Sequence, residues 1–263
     1  MSSAPPFPPG YGLPGSPSSG NPWQHDWRER LRLAYEGVGS LLTAEILYFI
    51  DSIIAAAILI VYVVTDLSIS SFRSLNDIER MVDTYAAASM VSIIASIIMI
   101  VLGIIALVLT WQGFSKLTRY DKARYNIGFL GVMLEVAALA AAVLGAIMLI
   151  VAAAVLSSTE SGFESFLVLL VLYMLVVVGL YVAGGIALAV GFWRIGDEWN
   201  SGIIKAGIIL VLIGIIVPGL DIIGFILLLL GLSDVKKKIK AMLEGRLNPW
   251  QQPGGSWWQP YGR

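Results

Sequence analysis

The chain has 263 residues, of which 57% are hydrophobic and only 13% charged, with a formal net charge of −1. A soluble domain carries about 25% charged residues, so this chain lacks the means to solvate its own surface, and several windows exceed the roughly 18 apolar residues of a membrane-spanning helix. It has no cysteine and one histidine, His25, which excludes disulfides, thiol catalysis, iron–sulfur clusters and multi-histidine or cysteine zinc sites, and its near-neutral charge gives no sign of a nucleic-acid partner.

Residues 1–25 are rich in Pro, Gly and Ser and read as a disordered tail that can bury no core. They hold no apolar run and no basic start, so no cleavable signal peptide is expected. Over residues 26–40, Trp27, Leu31, Ala34, Tyr35 and Val38 recur at helical spacing opposite Arg28, Glu29, Arg32 and Glu36. That pattern predicts a short amphipathic helix lying in the membrane interface; its alternative is a cytosolic extension of the first span. The membrane domain, residues 41–232, opens with four clear spans, about Leu41–Thr65, Tyr85–Thr110, Gly128–Leu156 and Phe166–Phe192. After Leu232, residues 233–247 form a basic amphipathic helix, and residues 248–263 a second disordered tail, rich in Trp and Pro. The tetrapeptide NPWQ occurs at the inner edge of both tails, at Asn21–Gln24 and Asn248–Gln251.

Between the fourth span and the basic helix lies "IIKAGIILVLIGIIVPGLDIIGFILLLLGL", Ile203–Leu232, thirty residues broken by Pro218, Gly219 and Asp221. As one straight helix it would reach about 45 Å and need a tilt of about 48° to fit a hydrocarbon core of about 30 Å. Each half alone is too short to cross. The loop charges choose between these. If the stretch crosses once, the basic residues divide almost evenly between the two sides. If it enters and returns, fifteen of the seventeen Lys and Arg residues share one side, leaving Arg73 and Arg80 on the other. Basic residues accumulate on the cytoplasmic side, which predicts a re-entrant hairpin rather than a kinked fifth helix, and places both termini in the cytoplasm of a multi-pass cell-membrane protein.

No Lys, Arg or His lies within the four clear spans, yet Glu45, Asp51 and Glu135 do, and Asp221 sits at the hairpin break. Acids at membrane depth are costly and mark a site, a relay or a wet pocket, so these four are the candidate ion or polar site. Asp221 also has a structural reading, as an acceptor for free N–H groups in the first turn of the second half-helix. Glu45 and Glu135 lie nearer helix ends, where they can stay wet; Asp51 and Asp221 are the deeper pair. The strings "YFID" and "PGLD" do not match the motifs of intramembrane aspartyl proteases. Nothing else offers a catalytic set or a cofactor site, so an enzyme is not expected.

On the fourth span Gly179, Ala183, Ala187 and Gly191 recur every four residues, as do Ala138 with Ala142 and Ala141 with Gly145 on the third. Small residues at that spacing let membrane helices approach closely. The partners implied are the lipid bilayer and, through such faces, a second copy or another membrane protein.

The segment Gly191–Leu232 carries Trp-Arg-x-Gly, then Asn-x-Gly-x-Ile-Lys, then a Pro-containing break, then Ile-Gly-x-Ile-Leu and Gly-Leu. It resembles the C-terminal signature of an archaeal family of multi-pass membrane proteins, domain of unknown function 973. That resemblance implies a polytopic membrane protein and brings no catalytic residues. The sequence thus predicts an all-α membrane protein with four transmembrane helices, a C-terminal re-entrant hairpin and short interfacial helices. The leading expectation of function is a non-enzymatic structural or scaffold component, and the alternative is a proton or cation channel or transporter using the intramembrane carboxylates.

Overall fold

The computed structural model describes residues 22–70, 77–156, 163–214, 217 and 219–247. Every regular element among them is an α-helix: α1 (Pro22–Ser70), α2 (Asp77–Tyr120), α3 (Lys122–Leu156), α4 (Phe163–Glu198), α5 (Gly202–Gly214) and α6 (Leu220–Leu243). Four helical stretches are long and apolar enough to cross a membrane: Asp26–Thr65, Tyr85–Tyr120, Lys122–Ala152 and Val168–Glu198. The chain is therefore an all-helical, multi-pass membrane protein. With 49 residues, α1 reaches about 70 Å, more than twice the roughly 30 Å of hydrocarbon. The long helices thus project well beyond the lipid.

Consecutive helices pack side by side, and α6 returns against α1 to close a ring. Glycines mark the antiparallel pairings. Gly37 and Gly113 join α1 to α2, Gly131 faces Gly184 and Leu188 across α3–α4, and Gly207 faces Gly224 and Leu228 across α5–α6. In that last pair Gly231 abuts Ile204 and Gly214 abuts Asp221, so α5 and α6 run antiparallel along the whole length of α5. With 13 residues, α5 extends about 20 Å and cannot span a bilayer.

Three turns among the described residues use left-handed residues, one of them at Gly245 (φ 70°) just after α6. Asn200 has φ 45°; Ser201 N–H donates to Gly196 C=O at 2.8 Å and Asn200 N–H to Asp197 C=O at 3.4 Å, a Schellman closure of α4. Asn tolerates this backbone region better than most side chains. At the other end of the hairpin Gly219, with φ 95°, starts α6, which suits a residue without a Cβ.

Several boundaries differ from the sequence expectation. Residues 26–40 are not a separate interfacial helix; they are the first turns of α1, and their apolar stripe is covered by protein. Leu31, Ala34, Val38 and Leu41 are buried in one cluster with Phe114, Leu117, Val235, Ile239 and Met242. The basic stretch after Leu232 is likewise no separate helix. It continues α6 to Leu243, because nothing at Ser233–Asp234 breaks the helix and the buried rhythm Leu228, Leu232, Val235, Ile239, Met242 runs straight through. The helix also begins at Pro22, inside the expected tail, where proline suits a first helical position. The rest of that tail, the C-terminal tail, one NPWQ copy and Pro218 lie outside the described residues.

The buried core lies at the charged end of the bundle, around Leu41, Phe114, Tyr125, Ile195, Ile204 and Leu232. The apolar middle and far ends of α1–α4 expose their side chains, Ile150 to 72%, as expected of a surface that faces lipid.

Candidate functional site

The buried stripes of the long helices each run into a polar residue. On α1 the stripe Leu31, Ala34, Val38, Leu41 continues at the next step to Glu45, which is 4% exposed. On α3 the stripe Tyr125, Gly128, Val132 continues to half-buried Glu135. The two acids lie within electrostatic range of one another. Glu135, Glu45, Thr110 and Tyr181 all lie near the Tyr48 side chain. A polar layer thus forms from all four long helices: Glu45 and Tyr48 on α1, Thr110 on α2, Glu135 on α3 and Tyr181 on α4.

Small residues make room for it. Ala106 is fully buried, and a Cβ on Gly184 would meet Glu135 Cγ at 2.9 Å. Thr110 Oγ1 donates to Ala106 C=O at 2.8 Å, which leaves it no proton to donate to an acid. Glu45 Oε2 has no hydrogen-bond partner. Glu45 lies nine residues along α1 from Glu36, the last charged residue before it, or about 13 Å deeper at 1.5 Å per residue.

The two acids expected to stay wet are therefore the two that lie within electrostatic range of one another inside the bundle. Asp51, six residues beyond Glu45, falls off the buried stripe; it is half-buried and its Oδ1 is buried without a partner. Asp221 stands apart, in the first turn of α6, where its Oδ1 accepts from Gly219 N–H at 3.0 Å. Its structural reading accounts for it.

One buried acid was missed by the sequence reading. Glu198, 4% exposed, ends the α4 stripe Ala187, Gly191, Ile195. It accepts from Tyr120 Oη at 2.7 Å and from Tyr125 Oη, and Arg124 lies 3.9 Å away. Arg194 in turn donates to the carbonyl oxygens of Ala123 and Arg124. This is a fully partnered clasp of α2, α3 and α4, and the repeat of the stripe was the signal that could have found it.

The small-residue stripe on α4 divides. Gly191 packs on Gly128 and Phe114, and Ala187 is buried, whereas Gly179 has no atom near its missing Cβ and Ala183 is exposed. Gly184, outside the predicted set, makes the close approach to α3 instead. On α3, Ala138 and Gly145 are buried and Ala142 is exposed. Among the described residues no group of three acidic, His or Cys side chains could hold a metal ion.

Residues 34–255 match the family described as protein of unknown function (DUF973), and the chain belongs to it. Comparison with curated proteins and with solved structures finds no match.

Proposed function

We propose that this protein binds and passes protons or cations across the membrane through the layer around Glu45 and Glu135. One observation carries the reading: a carboxylate 4% exposed, in the apolar part of a helix, lies within electrostatic range of a second carboxylate, with no Lys, Arg or His in residues 41–65, 85–110, 128–156 or 166–192 to neutralise either. Such an arrangement costs several kcal/mol in a protein that gains only packing from it. A membrane component with purely structural duties would do better with leucine at both positions.

The reading includes a topology. The α5–α6 pair enters and leaves the membrane by one face, both termini are cytoplasmic, and the protein sits in the cell membrane as a non-enzyme. The charge asymmetry of the loops supports this, as does the shortness of α5. A scaffold role remains the second reading, favoured by the outward-facing Gly179 and Ala183, which offer another helix a close approach.

Reconstitution into vesicles separates the two. Wild-type protein is expected to dissipate an imposed proton or cation gradient, and Glu45→Gln and Glu135→Gln, inserted normally, are expected to reduce that flux to background. A wild type that moves neither protons nor cations returns the scaffold reading.

A further inference from the structure

We infer that the seam between α1 and α6 seats the phosphate of an anionic phospholipid, with the Lys236 ammonium as its counter-charge. Among the described residues six cationic side chains are half-buried: Lys116, Arg124, Arg194, Lys205, Lys236 and Lys238. Four of them pair with a carboxylate, Lys116 with Glu36, Arg124 with Asp121, Lys205 with Asp197 and Lys238 with Asp234. Arg194 is spent on the carbonyl oxygens of Ala123 and Arg124. Among the described residues Lys236 has neither kind of acceptor. Its ammonium meets the face of Tyr35, 5.3 Å from the ring centre, and the notch left by Gly39, where a Cβ would lie 3.2 Å from Nζ. A partly desolvated cation without an anion is costly, and a ring face offsets only part of that cost.

The acceptors nearby are taken. The Glu36 carboxylate is shared between Lys116 and Arg32, and Asp234 is held by Lys238. On α1 the Glu36 and Gly39 carbonyls receive the Ser40 and Thr43 hydroxyls in addition to their helical N–H groups, which fills both lone pairs. Residues 1–21 and 248–263 contain no Asp or Glu to fill the gap. The ammonium therefore keeps its N–H donors for an anion from elsewhere.

Position selects the source of that anion. Gly39 stands two residues before the apolar stretch that starts at Leu41, and Lys236 four residues after Leu232, where the apolar part of α6 ends. The ammonium is thus at headgroup level. Deeper in the membrane the same two faces continue at helical spacing, Tyr35, Gly39, Thr43 and Ile46 on α1 and Lys236, Ser233, Leu229 and Ile226 on α6. Ile46 and Ile226 are exposed and offer an acyl chain an apolar bed. This end also carries surplus positive charge. Residues 111–127 hold four basic and one acidic side chain, and residues 233–247 five and two, a net +3 in each, which draws anionic headgroups. A zwitterionic headgroup brings its own cation to its phosphate and gains less from Lys236.

Native mass spectrometry of the full-length protein, taken from vesicles of equal parts phosphatidylglycerol and phosphatidylcholine, tests this. Wild type is expected to retain phosphatidylglycerol under activation that strips phosphatidylcholine. Lys236→Gln should bind phosphatidylglycerol about tenfold more weakly, the order of one charge-assisted hydrogen bond. Lys237→Gln removes an equal charge from an exposed neighbour and should retain the lipid. Equal retention of the two lipids by wild type overturns the proposal, as does full retention by Lys236→Gln. An equal loss in the two variants overturns it too, because the attraction is then diffuse surface charge, and displacement by millimolar inorganic phosphate assigns the site to a free anion instead. If Lys236→Gln does not fold, phosphatidylglycerol with a photoreactive headgroup decides without a variant. In wild-type vesicles it is expected to label residues 35–43 and 233–240 more heavily than the other helix ends of that face, and even labelling of all of them overturns the proposal.

Discussion

The two ends of the bundle are built on different terms. At the charged end the helices are clasped pair by pair. Glu36 bridges Lys116 at 3.2 Å, Tyr120 and Tyr125 meet Glu198, Asp197 pairs with Lys205, Lys238 donates to the Trp199 carbonyl at 3.4 Å, and the Lys236 ammonium sits 5.3 Å from the Tyr35 ring centre. Toward the other end, over residues 50–64, 85–105, 139–151 and 168–182, most apolar side chains point outward, and cross-helix polar contacts include Tyr62 to Ser92 and Tyr173 to the Ala141 carbonyl. The difference follows from the solvent. Water drives apolar surface together, so helix ends that leave the lipid need a core. Lipid tails are as apolar as leucine and give helices little reason to hide from them. The acid layer lies at the boundary, where the packed core ends.

The sharpest way to break this comparison is to cut the clasp. Glu198→Ala leaves the Tyr120 and Tyr125 hydroxyls without their acceptor, while Arg124 keeps Asp121, and should cost about 2–5 kcal/mol, read as a lower unfolding midpoint in detergent. Next comes Gly224→Ala, whose new methyl would meet Val211 N at 2.6 Å and the Gly207 carbonyl at 2.9 Å; pushing α5 from α6 should cost about 1–3 kcal/mol. Its control, Gly179→Ala, has open space and should leave the midpoint unchanged or raise it by up to about 1 kcal/mol through helix propensity. The smallest effect belongs to the lipid-facing end. Tyr62→Phe removes an exposed hydrogen bond and should cost less than about 1 kcal/mol. Equal losses for Glu198→Ala and Tyr62→Phe would erase the distinction between the ends.

Much of the fold was legible in the sequence because membrane helices announce themselves by length. The four spans and the interruption near Pro218 needed only hydropathy. What periodicity could not say is what covers an apolar face. The stripe Leu31, Ala34, Val38 reads the same whether it meets headgroups or α6, and only the matching stripe Val235, Ile239, Met242 reveals the partner. The same limit hid the site. Glu45 and Glu135 were visible as intramembrane acids, but their proximity depends on the helices placing one register at one level. Extending each buried stripe by one step does reach Glu45, Glu135 and Glu198; depth along a single span does not distinguish them from Asp51. Gly179 and Ala183 show the converse, since small-residue spacing alone names no partner.

The most direct test of the account is the side on which the packed end lies. The chain has no native cysteine, so Arg28→Cys on α1 and Lys237→Cys on α6, both exposed, report cleanly to a membrane-impermeant thiol reagent. Neither should react in intact cells, and both should react once the membrane is opened. Reaction of Lys237→Cys from outside, with Arg28→Cys protected, would mean that the last apolar stretch crosses the bilayer, and would contradict the account.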